Sequence, residues 1–161
     1  TTRNSITGSV YALNKFPEQF AKLKANPALI PNLVSETIRW QTPLAYMRRT
    51  ALEDVEIEGV SIKAGQSVSV SPVAANRDPA QWERAEEFDV SRDAFGHLGF
   101  GHGIHGCIGQ QLARVEIREG IRQLIEGLPG LRLVDAEQLK PMPFAHPVAV
   151  YEAGSVFVEW N

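Results

Sequence analysis

Apolar residues recur at helical spacing near the start of the chain. There Ile6, Val10 and Leu13 predict a helix over residues 4–13, with Pro17 just beyond its end. Phe20 and Leu23 share one face of a shorter helix over residues 18–24, which Asn26-Pro27 breaks. Leu33, Val34, Thr37 and Ile38 mark the inward side of a helix over residues 31–40; Pro31 suits its first turn and Pro43 closes it. The period then shortens. Residues 46–50, 55–57, 60–62 and 67–70 read as strands, with Glu58-Gly59 and Ala64-Gly65-Gln66 as turns between them. Residues 71–75 fit one helical turn before Asn76-Arg77-Asp78-Pro79, and residues 80–98 have too weak a period for a regular element. A long helix is predicted from near Cys107 to about Gly127, with Leu112, Val115, Ile121, Leu124 and Ile125 on its buried side. Residues 131–134, 148–151 and 156–160 complete the strands, with Pro141, Pro143 and Pro147 between the first two. The pattern predicts a mainly α protein with small antiparallel β-sheets, an α+β fold.

Composition narrows the class of partner. The 161 residues are 43% hydrophobic and 22% charged, which favours one globular domain over a disordered or fibrous chain. A net charge of -3 and the lack of any basic run argue against nucleic acid as a partner. A single cysteine excludes an intramolecular disulfide and fits a reducing, cytoplasmic setting. No apolar run approaches the ~20 residues that would span a membrane, so no membrane anchor is expected. Thr1-Thr2-Arg3-Asn4 reads as the middle of a helix, and an N-terminal part of the domain is expected to precede it.

The chemistry concentrates around that cysteine. Gly99, Gly101, Gly103, Gly106 and Gly109 crowd the stretch that leads into the long helix. Gly101-x-Gly103-x-x-Gly106 matches the dinucleotide-binding fingerprint literally. That site also needs a strand before it and an acid at the end of a second strand; residues 93–98 make a poor strand, and Glu126 lies within the same helix. A zinc module is a further alternative, since His97, His102, His105 and Cys107 lie close together. One glycine between His105 and Cys107 is a poor chelate spacing, and no second ligand pair follows. A haem thiolate explains more. Glycines let a backbone lie against a flat macrocycle, and a cysteine at a helix N-terminus faces the positive end of the dipole, which favours thiolate.

Phe100-Gly101-x-Gly103-x-His105-x-Cys107-x-Gly109 resembles the haem-binding signature of the cytochrome P-450 family. Glu36-Thr-Ile-Arg39 and Phe88-Asp-Val-Ser-Arg92 resemble two further family motifs in the right order. By that resemblance, Glu36, Arg39 and Arg92 form a structural cluster that holds the proximal side of the pocket. The family fold is then expected to cover residues 1–161 as its C-terminal, haem-binding part. The departure from the family pattern is Gly106, where bulkier residues often sit.

The resemblance implies haem b (iron protoporphyrin IX) with Cys107 as the axial ligand of the iron and Phe100 and Gly101 beside the cofactor. Arg49, with Arg48 as the alternative, and His105 would bind the propionates. Thr1, or else Thr2, would relay protons. Such an enzyme inserts one atom of O2 into a C–H bond of a small apolar organic substrate. Its electrons come from a ferredoxin-type iron–sulfur protein and its reductase, as in soluble bacterial members. Arg114, Arg118 and Arg122, four apart on one helix face, are a candidate docking stripe for that acidic donor; the alternative is a solvated face paired with Glu116 and Glu119. The segment around Ala45, Tyr46 and Met47 resembles that of alkane and fatty-acid terminal hydroxylases and would line the substrate pocket; terpenoid and steroid substrates stay open. The remaining alternative is a catalytically incomplete haem-binding fragment.

Overall fold

The computed structural model describes residues 1–134 and 156–160. It opens with α1 (Thr2–Lys15) and α2 (Pro17–Ala25), followed by a 3-10 turn at Pro27–Leu29 and α3 (Ile30–Gln41). All three helices lie where the apolar spacing predicts them, each extended by one or two residues at either end. Val10 and Leu13 of α1, Phe20 and Leu23 of α2, and Leu33, Val34 and Ile38 of α3 are buried in one core. Asn26 caps the 3-10 turn by accepting a hydrogen bond from the Ala28 amide, and Pro17 and Pro31 sit in first turns that need no amide donor.

The strands form two-stranded antiparallel ribbons. β1 (Met47–Thr50) pairs with β4 (Ser67–Val70), and between them β2 (Val55–Ile57) pairs with β3 (Val60–Ile62). A short helix α4 (Pro72–Ala75) follows, its first turn capped by Ser71. Residues 76–97 carry no strand or helix, as the weak period predicts. β5 (Arg132–Leu133) and β6 (Val158–Glu159) pair as a third ribbon, shorter than predicted; the strand predicted over residues 148–151 lies outside the described residues.

Two expectations for the long helix change. α5 runs Gln110–Gly127, so Cys107 lies in the loop three residues ahead of it rather than at its first turn. The stripe that α5 turns to the core also begins later. Ile117 and Ile121 are buried and Leu124, Ile125 and Leu128 pack partly behind them, whereas Leu112 is 64% and Val115 49% exposed. α5 packs against both α1 and α3 with Ile117 and Ile121 in the core, and its second turn also reaches α3, where Arg114 bonds Ser35. Gly120 shows how close the crossing is, since a Cβ there would lie 3.2 Å from Ile6.

The irregular segment is held by side chains instead of a backbone ladder. Arg39, fully buried on α3, donates to the carbonyls of Asn76 at 2.7 Å, Ala85 at 2.8 Å and Glu87 at 2.9 Å. Arg92 donates to the Glu83 and Arg84 carbonyls, and Trp40 Nε1 to that of Glu86. Phe16, Trp40 and Phe88 pack beneath as an aromatic trio with centroids 5.6–5.8 Å apart. Carbonyls outside a ladder need donors from elsewhere, and here Arg39, Arg92 and Trp40 supply them.

Candidate functional site

Glu36 is the pivot of the buried ion cluster. Its Oε2 accepts from Arg39 Nε at 2.7 Å, and its Oε1 accepts from Arg39 Nη2 at 2.8 Å, Arg92 Nε at 3.1 Å and the Asp89 amide at 3.0 Å. Spacing of three on a helix places Glu36 and Arg39 side by side, and Arg92 arrives from the irregular segment. Every member is bonded, which is the condition under which buried charges are tolerated.

Beside this cluster runs the cysteine loop. It begins at a 3-10 turn, Leu98–Phe100, and a second, Gly103–His105, lies within it; the Cys107 amide closes it by donating to the Phe100 carbonyl at 2.8 Å. Two glycines are dictated by space. A Cβ at Gly99 would lie 2.4 Å from Ile38 Cγ2, so the loop rests directly on α3. Gly101 has φ 73° and ψ -166°, a region only glycine adopts readily, and a Cβ there would meet the His105 carbonyl at 3.1 Å.

The loop forms one wall of a cleft of about 410 Å³. Cys107, His105, Phe100 and Gly101 line it, and Thr1 and Thr2 of the first helical turn line it too. The structure therefore brings six of the sequence-predicted residues to one cavity, with Met47 as a seventh. Ile38, Pro43, Leu44, Leu112 and Ile117 make its remaining walls largely apolar, and Ser5 and Glu116 add a hydroxyl and a carboxylate.

β1 sorts the other predicted residues by alternation. Met47 faces the cleft, so Arg49 shares its side, while Arg48 and Tyr46 point the opposite way into a shallow hollow with Ser67 and Ser69. The strand thus separates Arg49 from Arg48. Of the residues expected to line the substrate pocket only Met47 lines this cleft, where Pro43 and Leu44, which sequence reasoning missed, accompany it.

The arginine stripe is partly committed elsewhere. Arg114 donates to Ser35 Oγ at 2.8 Å, lies over the Phe100 ring and comes within 3.3 Å of His97 Nε2. Arg122 pairs with Glu119 and Glu126, while Arg118 stays exposed near Glu119. The pairing holds the Glu119 carboxyl down to about 2. Arg114 borders a hollow on α5 with Arg118 and Gln111. Of the carboxylates named as alternative partners, Glu119 does pair with Arg122, with Glu126 joining it, while Arg114 turns to the Ser35 hydroxyl of α3.

Asn76 and His97 were missed as organisers. Asn76 is fully buried, donates to Thr42 Oγ1 at 2.9 Å and accepts from the Leu98 amide at 2.7 Å. His97 Nδ1 accepts from the Gly99 amide at 3.1 Å. Burial, with Arg114 and Arg39 nearby, pushes the His97 imidazole down to about 4. Asn76 follows directly on the short helix, and an asparagine there was legible only as a chain break.

These contacts decide between the metal readings. His97 is buried and commits Nδ1 to the Gly99 amide, and among the described residues no three His, Cys, Asp or Glu side chains could hold a metal ion. The nucleotide fingerprint likewise lacks its strand, because a 3-10 turn precedes Gly101. What the loop offers is one exposed thiol as a soft donor, a glycine-flattened floor and apolar walls. A flat apolar macrocycle with one soft sulfur donor beside it fits that lining.

Comparison with known proteins agrees. Residues 20–128 match the family model described as Cytochrome P-450, and the chain belongs to that family. It is 44% identical over 161 residues to cytochrome P-450 105C1 from a Streptomyces species, covering 99% of this chain and 42% of that protein. It is 43% identical over 137 residues to the biotin biosynthesis cytochrome P-450 of Bacillus subtilis strain 168, covering 85% of this chain and 35% of that one. The crystal structure of P450BioI in complex with hexadec-9Z-enoic acid ligated acyl carrier protein superposes with a TM-score of 0.92 at 37% identity. That match covers 99% of this chain and 41% of the solved one. The chain thus spans about two fifths of the length of the relatives it matches, as a partial P-450 fold.

Proposed function

We propose that this chain is the haem-binding part of a monooxygenase that hydroxylates a small apolar organic molecule. The observation that carries the proposal is the single cysteine on one wall of an apolar cleft that Thr1 and Thr2 also line. Cys107 would hold the iron of haem b through its sulfur, and thiolate ligation favours O–O cleavage. Bound there, the haem supplies oxygen activation, placing one atom of O2 in a C–H bond and reducing the other to water.

The chain's own residues set the conditions. Gly99 and Gly101 keep the loop flat, and Ile38, Leu44, Met47 and Phe100 keep water from the reacting centre. His105 and Arg49 would take the two propionates, Arg49 from the cleft side of β1. The hydroxyl of Thr1, or of Thr2, can accept a proton at Oγ1 from solvent and pass it inward. Glu36, Arg39 and Arg92 fix the segment behind the site and take no part in the chemistry.

The substrate proposed is a medium-to-long aliphatic compound such as an alkane or fatty acid, with a terpenoid or steroid as the alternative. Support comes from the apolar cleft and from the neighbour solved with a fatty-acyl carrier protein. Electrons would come from a ferredoxin-type iron–sulfur protein and its reductase, with Arg114 and Arg118 on the docking face. A cytoplasmic setting suits these partners, and among the described residues no helix is long and apolar enough to cross a membrane.

The test uses the haem-loaded protein with a ferredoxin, its reductase, a fatty acid and isotopically labelled O2. A hydroxylated product carrying one labelled oxygen is expected. Product without label, or electron consumption with no oxygenated product from any aliphatic, terpenoid or steroid substrate, overturns the proposal.

A further inference from the structure

We propose that His97 is a positioning residue that couples Arg114 to the loop carrying Cys107. The inference deepens the reading of Cys107 as the iron's ligand and rests on it.

The loop is anchored at its start. The Leu98 amide donates to Asn76 and the Gly99 amide to His97 Nδ1, so two buried side chains fix the turn that delivers Phe100. The Phe100 carbonyl then receives the Cys107 amide. His97 is therefore two hydrogen bonds and one short turn from the cysteine backbone.

The other face of the imidazole meets Arg114. Its Nη2 lies 3.3 Å from His97 Nε2, while Nη1 holds Ser35 and the guanidinium covers Phe100. A neutral imidazole accepts at one nitrogen only. With Nδ1 taking the Gly99 amide, the ring proton sits on Nε2 and points at a guanidinium N–H. Protonation is no escape: a charged ring would lose the Gly99 bond and face Arg114 and Arg39, whose charges oppose it. Donor therefore faces donor, and Arg114 and Gly99 compete for one acceptor.

An anion on the solvent side of Arg114 removes the conflict. Arg114 already borders the hollow with Gln111 and Arg118, where a partner's carboxylate has room to pair with it. Drawn toward that carboxylate, Arg114 no longer calls for an acceptor at Nε2, the ring keeps its one acceptor at Nδ1 for the Gly99 amide, and the turn before Cys107 tightens. Docking at α5 is thereby communicated to the ligand loop without any contact to the iron.

The test measures hydrogen exchange at the Gly99 amide and the midpoint potential of the iron in the haem-loaded protein. His97→Asn keeps an acceptor for Gly99 but has no second nitrogen toward Arg114, so it preserves the fold and cuts the coupling. His97→Leu removes both, and about tenfold faster Gly99 exchange is expected from the lost buried bond. Arg114→Met is expected to slow Gly99 exchange and shift the potential in the wild-type background, and to have a smaller effect on both in His97→Asn. Equal effects of Arg114→Met in the two backgrounds overturn the inference while leaving the ligand assignment standing. A wild-type protein without a thiolate spectrum overturns the ligand assignment, and the inference with it.

Discussion

Arg39 grips Glu36 at two points, 2.7 and 2.8 Å, with both side chains fully buried. Its three other donors go to the carbonyls of Asn76, Ala85 and Glu87, so no N–H of the guanidinium is left over. Arg39→Met would leave the buried Glu36 with only Arg92 and the Asp89 amide, and would take the guanidinium from three carbonyls at once. A loss of about 3–5 kcal/mol in unfolding free energy is expected, measured by denaturant titration. A loss under about 1 kcal/mol would show that the irregular segment holds itself.

Gly99 should tolerate no side chain. Alanine there sets a Cβ 2.4 Å from Ile38 Cγ2 and 2.9 Å from the Ile38 carbonyl, so either the loop or α3 must shift. Gly99→Ala is expected to cost about 1–3 kcal/mol. Adding Ile38→Ala should restore part of that loss and no more, because the backbone contact remains; thermal melts of the three variants decide it.

His97 gives the protein an acid-sensitive term. Its imidazole falls from an ordinary 6.5 to about 4 through burial first and the charges of Arg114 and Arg39 second. Above pH 6.5 the ring is neutral in both folded and unfolded chains and changes nothing. Between 6.5 and 4 the unfolded chain takes up a proton that the folded one refuses, so stability drops as pH falls, by on the order of 3 kcal/mol in all. His97→Asn should flatten this part of the stability–pH curve; an unchanged slope would place the acid sensitivity elsewhere.

The alternation of β1 separates neighbouring arginines. Arg49→Ala should speed loss of haem to an acceptor protein markedly, and Arg48→Ala should leave it near wild type. The reverse order would mean that Arg48, on the far face with Tyr46, reaches the cofactor after all.

Much of this architecture was legible in the chain. α1, α2 and α3 follow from apolar spacing and proline punctuation, and β2, β3 and β4 from glycine turns, since each signal is local. Glu36 and Arg39 were legible as a pair through helical spacing, and Arg92 through the resemblance. Leu112 and Val115 misled because periodicity reports an apolar side without saying what lies against it. Asn76 and His97 escaped because their partners, Leu98, Gly99 and Arg114, become neighbours only when three separate segments converge. No sequence period records such a meeting.

Ligation by Cys107 is tested most directly by the absorption spectrum of the reduced, carbon-monoxide-treated protein beside that of Cys107→Ser. A strongly red-shifted Soret band, the mark of thiolate ligation, is expected in the wild-type protein and is expected to vanish in the variant. A wild-type protein that binds haem without that shift, or a variant that keeps it, would show that Cys107 does not hold the iron.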